Sequence, residues 1–181
     1  AAVNELASGT WLDDGRIVFT NQGFDVLTVP ATGGAVSRIV PPPTSFGWTF
    51  PTALPRKDVI LITVCSNNCS KMNLMTMNLR TLERDTVLPN TARGFYLPTG
   101  DLLAVQQDGN VVAGHFDLDR LHFTEPPVVV QSGVQLELGI TPELTVANDG
   151  TLIYLAANQV GTDASIARVD RFNPATGAHL G

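Results

Sequence analysis

The chain has 181 residues, 44% of them apolar and 15% charged, which is enough length for one all-β domain and means that many segments must be buried rather than solvated. Seventeen acidic against 11 basic residues leave a net charge of −6, which argues against affinity for a phosphate backbone, and no Lys/Arg cluster reverses that. The longest apolar runs, such as Val59-Ile-Leu-Ile-Thr-Val64, fall far short of the roughly 20 residues needed to cross a bilayer as a helix, so no membrane span is expected.

The start, Ala1-Ala-Val-Asn-Glu5, lacks the basic and apolar regions of a signal peptide, so either none existed or it has been removed. Asn4 to Leu12 reads as a first, innermost strand. Asp13-Asp14-Gly15 then forms an acidic turn, where short side-chain oxygens bond local backbone and Gly permits positive φ. A calcium site would need several further oxygen ligands close by, so the turn reading is preferred. Ile17-Val18-Phe19 and Val26 to Val29 are apolar runs of strand length, and Ala31-Thr-Gly-Gly34 turns the chain into a fourth strand, Ala35 to Val40. Pro41-Pro-Pro43 cannot join a sheet interior and reads as a stiff connector.

This unit recurs. Aligned on its turn, Gly15 is followed by Lys57, Gly100 and Gly150, at intervals of 42, 43 and 50 residues. After each turn comes a short apolar run: Ile17 to Phe19, Val59 to Leu61, Leu102 to Ala104 and Leu152 to Tyr154. A third strand follows in each copy at Val26 to Val29, Leu74 to Met77, Val111 to Phe116 and Ile166 to Val169. Turns at Leu79 to Leu82, Asp117 to Arg120 and Pro174 to Gly177 then lead into fourth strands such as Asp85 to Leu88. A period of about 40 to 45 residues with four strands per unit points to a propeller blade, since one small antiparallel sheet cannot bury both apolar faces alone. The expected fold is therefore all-β, a propeller-type repeat of about four four-stranded antiparallel blades, incomplete or open, in a single domain with repeats at about 1–40, 44–89, 91–131 and 138–181.

The pattern Leu-x-x-Asp-Gly-x-Ile-x-Phe followed by Val-x-x-Val-Pro-x-x-Gly-Gly in the first copy resembles the TolB-like β-propeller repeat. The third copy, with Arg93-Gly-Phe-Tyr-Leu-Pro-Thr-Gly-Asp-Leu-Leu103, Phe116-Asp-Leu-Asp-Arg-Leu121 and Pro126-Pro-Val128, is similar to propeller domains attached to bacterial serine/threonine kinases and to transcriptional regulators. Val146-Ala-Asn-Asp-Gly-Thr-Leu-Ile-Tyr154 fits as well, whereas the second copy has Pro55-Arg56-Lys57 where an acidic, Gly-containing turn belongs. The resemblance implies a non-catalytic recognition platform with no cofactor. TolB-like propellers usually have six blades, so four copies imply a fragment, association of open blade faces with another copy, or an unusually small ring.

Inner strands and the loops at one end of a propeller axis line its mouth, which makes Trp48, Arg93, Tyr96 and Glu143 the positional candidates for contacting a protein or small ligand. Each has a plainer role available: Trp48 as core packing above all, the others as packing or solvent-exposed groups. Met72 alternates with Leu74 at the strand period and is expected to pack between blades. Cys65 and Cys69 flank Ser-Asn-Asn in a loop between two strands, where a disulfide is within reach and would point to an extracytoplasmic setting; free thiols are the second reading. Two cysteines do not complete a zinc site, the spacing is not that of a redox pair, and Asn68-Cys69-Ser70 matches a glycosylation acceptor.

The chain carries no nucleophile elbow, P-loop, His-Glu-x-x-His pair or dinucleotide fingerprint. Its three histidines, His115, His122 and His179, fall in outer-blade positions, which weighs against a ring of axial catalytic groups. The alternative is a propeller enzyme, a hydrolase or lyase, or a peptidase-associated propeller with an axial active site.

Overall fold

The computed structural model describes residues 6–21, 24–40, 46–147, 150–157 and 167–171, and all its regular elements are strands. The fourth copy's last turn, Pro174 to Gly177, and His179 lie outside the described residues. The chain divides into two compact units, Ala1–Asn90 and Thr91–Gly181.

In the first unit, β1 (Leu6–Trp11), β2 (Arg16–Asn21), β3 (Val26–Pro30) and β4 (Ser37–Val40) form an antiparallel sheet in chain order. A second such sheet comprises β5 (Phe46–Ala53), β6 (Val59–Ser66), β7 (Lys71–Asn78) and β8 (Arg84–Pro89). The two stack through one apolar cluster. Leu12, Val18 and Val26 from the first sheet join Trp48, Ile60, Ile62 and Met77 from the second. Both faces of β6 are buried, which explains why Val59-Ile-Leu-Ile-Thr reads as an unbroken apolar, β-branched run instead of alternating.

Side-chain hydroxyls tie the two inner strands together. β5 bulges between Thr49 and Thr52, with Phe50 at φ 50°. The Phe50 N–H donates to Ser8 Oγ at 3.0 Å, and the Ala53 N–H donates to Thr10 Oγ1 at 3.0 Å. Small hydroxyl residues in β1 thus satisfy backbone donors one repeat further on.

The turn joining the first two strands of each blade recurs with one telling change. The Gly15 N–H donates to the Leu12 carbonyl and the Gly100 N–H to the Leu97 carbonyl, both at 3.0 Å. The Gly15 and Gly100 carbonyls in turn accept from the Ala31 and Phe116 N–H groups. In the second blade the carbonyl playing that part belongs to Asp58, which accepts from the Leu79 N–H at 2.7 Å. The structural counterpart of Gly15 is therefore Asp58, at φ 59°, and not Lys57 as the sequence spacing suggests; this turn is one residue longer. Aspartate tolerates the left-handed region better than most residues, and here its carboxylate has a use. Arg16 Nη2 lies 2.6 Å from Asp58 Oδ1 and 2.5 Å from Asp14 Oδ2, so one guanidinium joins the turns of both blades. A double-mutant cycle on Arg16 and Asp58 should give a coupling of about 0.5–1 kcal/mol, as for partly exposed pairs. The hydrogen bond from Arg16 holds the Asp14 carboxyl below its ordinary range. A depressed carboxyl pKa adds stability that is complete above the unfolded value near 3.8 and is lost as pH falls through the folded value, so acid should weaken the Arg16–Asp14 bond only below about pH 4.

In the second unit, β9 (Thr91–Tyr96), β10 (Asp101–Gln106) and β11 (Val111–Asp117) are followed by a fourth strand broken into β12 (His122–Phe123) and β13 (Val128–Gln131), both paired with β11. A hairpin of β14 (Leu136–Glu137) and β15 (Thr141–Pro142) comes next, turning at Leu138-Gly139. It accounts for the longer third interval of the repeat. The last sheet has β16 (Leu144–Val146), β17 (Thr151–Leu155) and β18 (Ala167–Arg171). Leu103, Val105, Val111 and Ala113 of the third blade pack with Leu144, Leu152 and Tyr154 of the fourth. Among the described residues, no helix is long and apolar enough to cross a membrane.

Candidate functional site

The four residues singled out from the sequence occupy different environments. Trp48 is 1% exposed and lies in the core of the first unit, with the Arg84 guanidinium 5.3 Å from its ring centroid. Arg93 is half-buried on β9 with its guanidinium 4.6 Å from the Phe95 ring, and burial lowers its pKa. Three residues along the same strand, Tyr96 points to the opposite face and packs edge-on against Phe116, 6.4 Å between centroids. Glu143, between β15 and β16, helps line a hollow of about 300 Å³ with Thr145, Ile153 and Leu155.

Tyr96 opens onto a hollow of about 440 Å³ at the turn end of the third blade, shared with Gly100, His115, Asp117, Asp119 and Thr124. A second hollow of about 380 Å³ shares His115 and Thr124 and adds Asp101, Gly114, Glu125 and Val128. Asp101 and His115 are direct cross-strand neighbours on β10 and β11. The Asp101 carboxyl is largely buried and accepts from Thr99 Oγ1–H at 2.7 Å; its other oxygen lies 3.6 Å from His115 Nδ1. Gly100, at φ 90°, allows this arrangement, since a Cβ there would come within 2.8 Å of the imidazole. Beside it, the Asp117 carboxylate caps its own turn by accepting from the Asp119 and Arg120 N–H groups at 2.8 and 2.9 Å, and bonding to the Arg120 N–H holds its pKa low. Asn78 caps the equivalent turn of the second blade in the same way, and Leu82 and Leu121 both close it at positive φ.

His115, Asp101 and Thr124 were not candidates from the sequence, yet their meeting has a signal. The β10–β11 hairpin turns at Asp108-Gly109, and counting outward from it pairs Asp101 with His115. Burial, then the Asp101 charge, raises the Tyr96 phenol above its ordinary pKa of 10.0. In a Tyr154→Phe background, absorbance titration should place Tyr96 above pH 10, and Asp101→Asn should shift it downward but not abolish the rise.

Cys65 and Cys69 are joined by a disulfide with Cα atoms 4.6 Å apart, closing a loop in which Asn67, Asn68 and Cys69 all have positive φ. Reduction should cost about 2 kcal/mol by loop entropy for so short a ring, read from denaturant midpoints with and without reductant. Among the described residues, no group of three or more His, Cys, Asp or Glu side chains is placed to hold a metal ion.

No protein-family model and no curated protein matches the chain. Its architecture is similar to that of TolB from Acinetobacter baumannii, at 14% identity and TM-score 0.62, over 97% of this chain and 43% of that one. It is similar also to puromycin hydrolase, at 15% identity and TM-score 0.64, over 99% of this chain and 31% of that one. The β-propeller domain of the Trilobed protease from Pyrococcus furiosus, described as having an open velcro topology, matches at 13% identity and TM-score 0.56, over 93% of this chain and 54% of that domain. The sheets thus define a β-propeller fold. The chain spans between about a third and just over half of these structures. Enzymes and non-enzymes share this fold, so the architecture alone does not assign an activity.

Proposed function

We propose that the chain is a non-catalytic recognition module, the sensor or scaffold part of a larger signalling protein, which binds a protein or small ligand through its turn-end hollows without a cofactor. The observation that carries this reading is the hollow beside Tyr96. An amphipathic aromatic ring and an exposed imidazole stand there on sheet positions fixed by cross-strand pairing, backbone caps and a glycine. Such pre-ordered anchors bind at low entropic cost. Glu143 supplies a second contact on the outward face of the fourth blade, where Thr145 and Ile153 are exposed, and this face is also the proposed surface for self-association. Trp48 and Arg93 support the sheets. A Cys65–Cys69 bond suits an extracytoplasmic setting.

The test is a ¹H–¹⁵N NMR screen with a mixture of small amines, carboxylates and aromatic compounds. Shifts clustered on Tyr96, His115 and Thr124, and lost in Tyr96→Ala, are expected; shifts spread over the sheets, or none, would refute the reading. One observation favours the rival, a propeller enzyme: a buried Asp101 facing an exposed His115 is how an imidazole is oriented for proton transfer. Turnover of ester or peptide substrates that disappears in His115→Ala would establish it.

A further inference from the structure

A strand at the rim of a sheet offers unpaired backbone groups to any passing chain, and folded proteins guard such edges with charge, proline or brevity. Two outer strands here are guarded in this way. β4 carries Arg38, and β8 carries the exposed Arg84 and Asp85 and ends at Pro89. β13 differs. It reads Val-Val-Val-Gln, carries no charge, and leaves Val128 46% and Val129 55% exposed. Among the described residues it pairs with β11 alone, so its far side has no strand partner. Its entry is fixed, because the Pro127 backbone lies over Gly114, where a Cβ would stand 3.3 Å from Pro127 Cα.

The ground beside this edge is acidic. The 380 Å³ hollow runs from Val128 and Pro126 to Glu125 and Asp101, and the adjoining hollow adds Asp117 and Asp119. Neither is lined by Lys or Arg. Arg120 stands nearby, with Nε 3.8 Å from Asp117. A segment lying along β13 would place its β-branched side chains on Val128 and Val129 and any flanking cation over carboxylates.

We infer that β13 is a docking edge for an extended β-branched segment of a partner protein, flanked by Lys or Arg, which adds to the third blade as a further strand. Backbone hydrogen bonds supply the affinity, alternate side chains meet the exposed valines, and the acidic hollow selects a basic flank. The inference rests on the recognition reading above and names its partner class.

The probe is a fluorescein-labelled peptide, acetyl-Lys-Val-Thr-Val-Thr-Val-Lys-amide, followed by anisotropy with the full chain, beside the same peptide flanked by Glu. Saturable binding to the Lys-flanked peptide that weakens with salt, and at least about tenfold weaker binding of the Glu-flanked one, is expected from charge complementarity. Val129→Lys, at an exposed position, should weaken the Lys-flanked probe by about tenfold or more by guarding the edge. Glu125→Lys should narrow the preference between probes, and it decides the matter if Val129→Lys misfolds. Equal affinity for both probes, an unchanged Val129→Lys, or no binding would overturn the proposal. So would a concentration-dependent dimer abolished by Val129→Lys, which would make the occupant a second copy. If Val129→Lys changes nothing while Tyr96→Ala still removes ligand shifts, the edge proposal fails and the recognition reading stands.

Discussion

Replacing Trp48 with alanine should destabilise the first unit by about 3–5 kcal/mol, the range for deleting a large aromatic side chain from a packed core. Trp48 is 1% exposed and sits in the cluster that joins the first two blades, so its removal leaves a cavity that both sheets would have to close. Trp11 provides the internal control. At 63% exposure it has little to lose, and Trp11→Ala should stay within about 0.5 kcal/mol of the parent. Denaturant unfolding measures both changes. Because these are the chain's only tryptophans, iodide should quench Trp11 and spare Trp48 in the native state. Equal quenching of the two, or a near-neutral Trp48→Ala, would mean that the indole stands at a solvent-open mouth.

The second large effect is expected at Gly109. This residue holds φ 83° at the tip of the β10–β11 hairpin, and a Cβ added there would lie 2.7 Å from the Val134 carbonyl oxygen. That oxygen is backbone and cannot swing aside. The Gly109 carbonyl meanwhile accepts from the Val134 N–H at 2.9 Å, pinning the hairpin to the segment that leads into the fourth blade. Gly109→Ala should therefore cost about 2–3 kcal/mol, combining left-handed strain with displacement of Val134. Gly33 has φ 88° and nothing within 4 Å of a built Cβ, so Gly33→Ala should cost only about 1 kcal/mol. Thermal melts of the two variants separate the contribution of strain from that of contact.

These contrasts show which parts of the molecule were legible in its sequence. The central strands were, because a strand buried on both faces leaves a compact apolar run, and Val59 to Val64 and Leu102 to Val105 could be little else. The turns were legible where glycine marks the positive φ, at Gly15 and Gly100. The second turn misled by one residue because aspartate can occupy the same conformation, and the gain from doing so, the bridge to Arg16, depends on a contact 42 positions away that no local pattern reports. The hairpin between Leu136 and Pro142 showed only as a longer interval, since its strands are two residues each.

The site was harder to read. Position along a blade singled out Tyr96 and Glu143, both of which border hollows, but the same rule also chose Trp48, whose side chain turns inward at the strand period. His115 was discounted because outer-blade position counted against it, and Asp101 was passed over. Their pairing follows from hairpin register, a relation between strands that residue type does not carry. The exposed valines of β13 look in sequence like any buried strand; only the missing neighbour distinguishes them.

Each blade has a buried centre and an outer strand with no further strand partner among the described residues, and native-state hydrogen exchange by NMR tests that division most directly. Slowest exchange is expected in β6, β7, β10 and β11, and fast exchange at the outward amides of β8 and β13 and at Glu125, at a rate independent of protein concentration. Outward β13 amides as protected as those of β6 would mean that the rim is already covered, and the account would be contradicted.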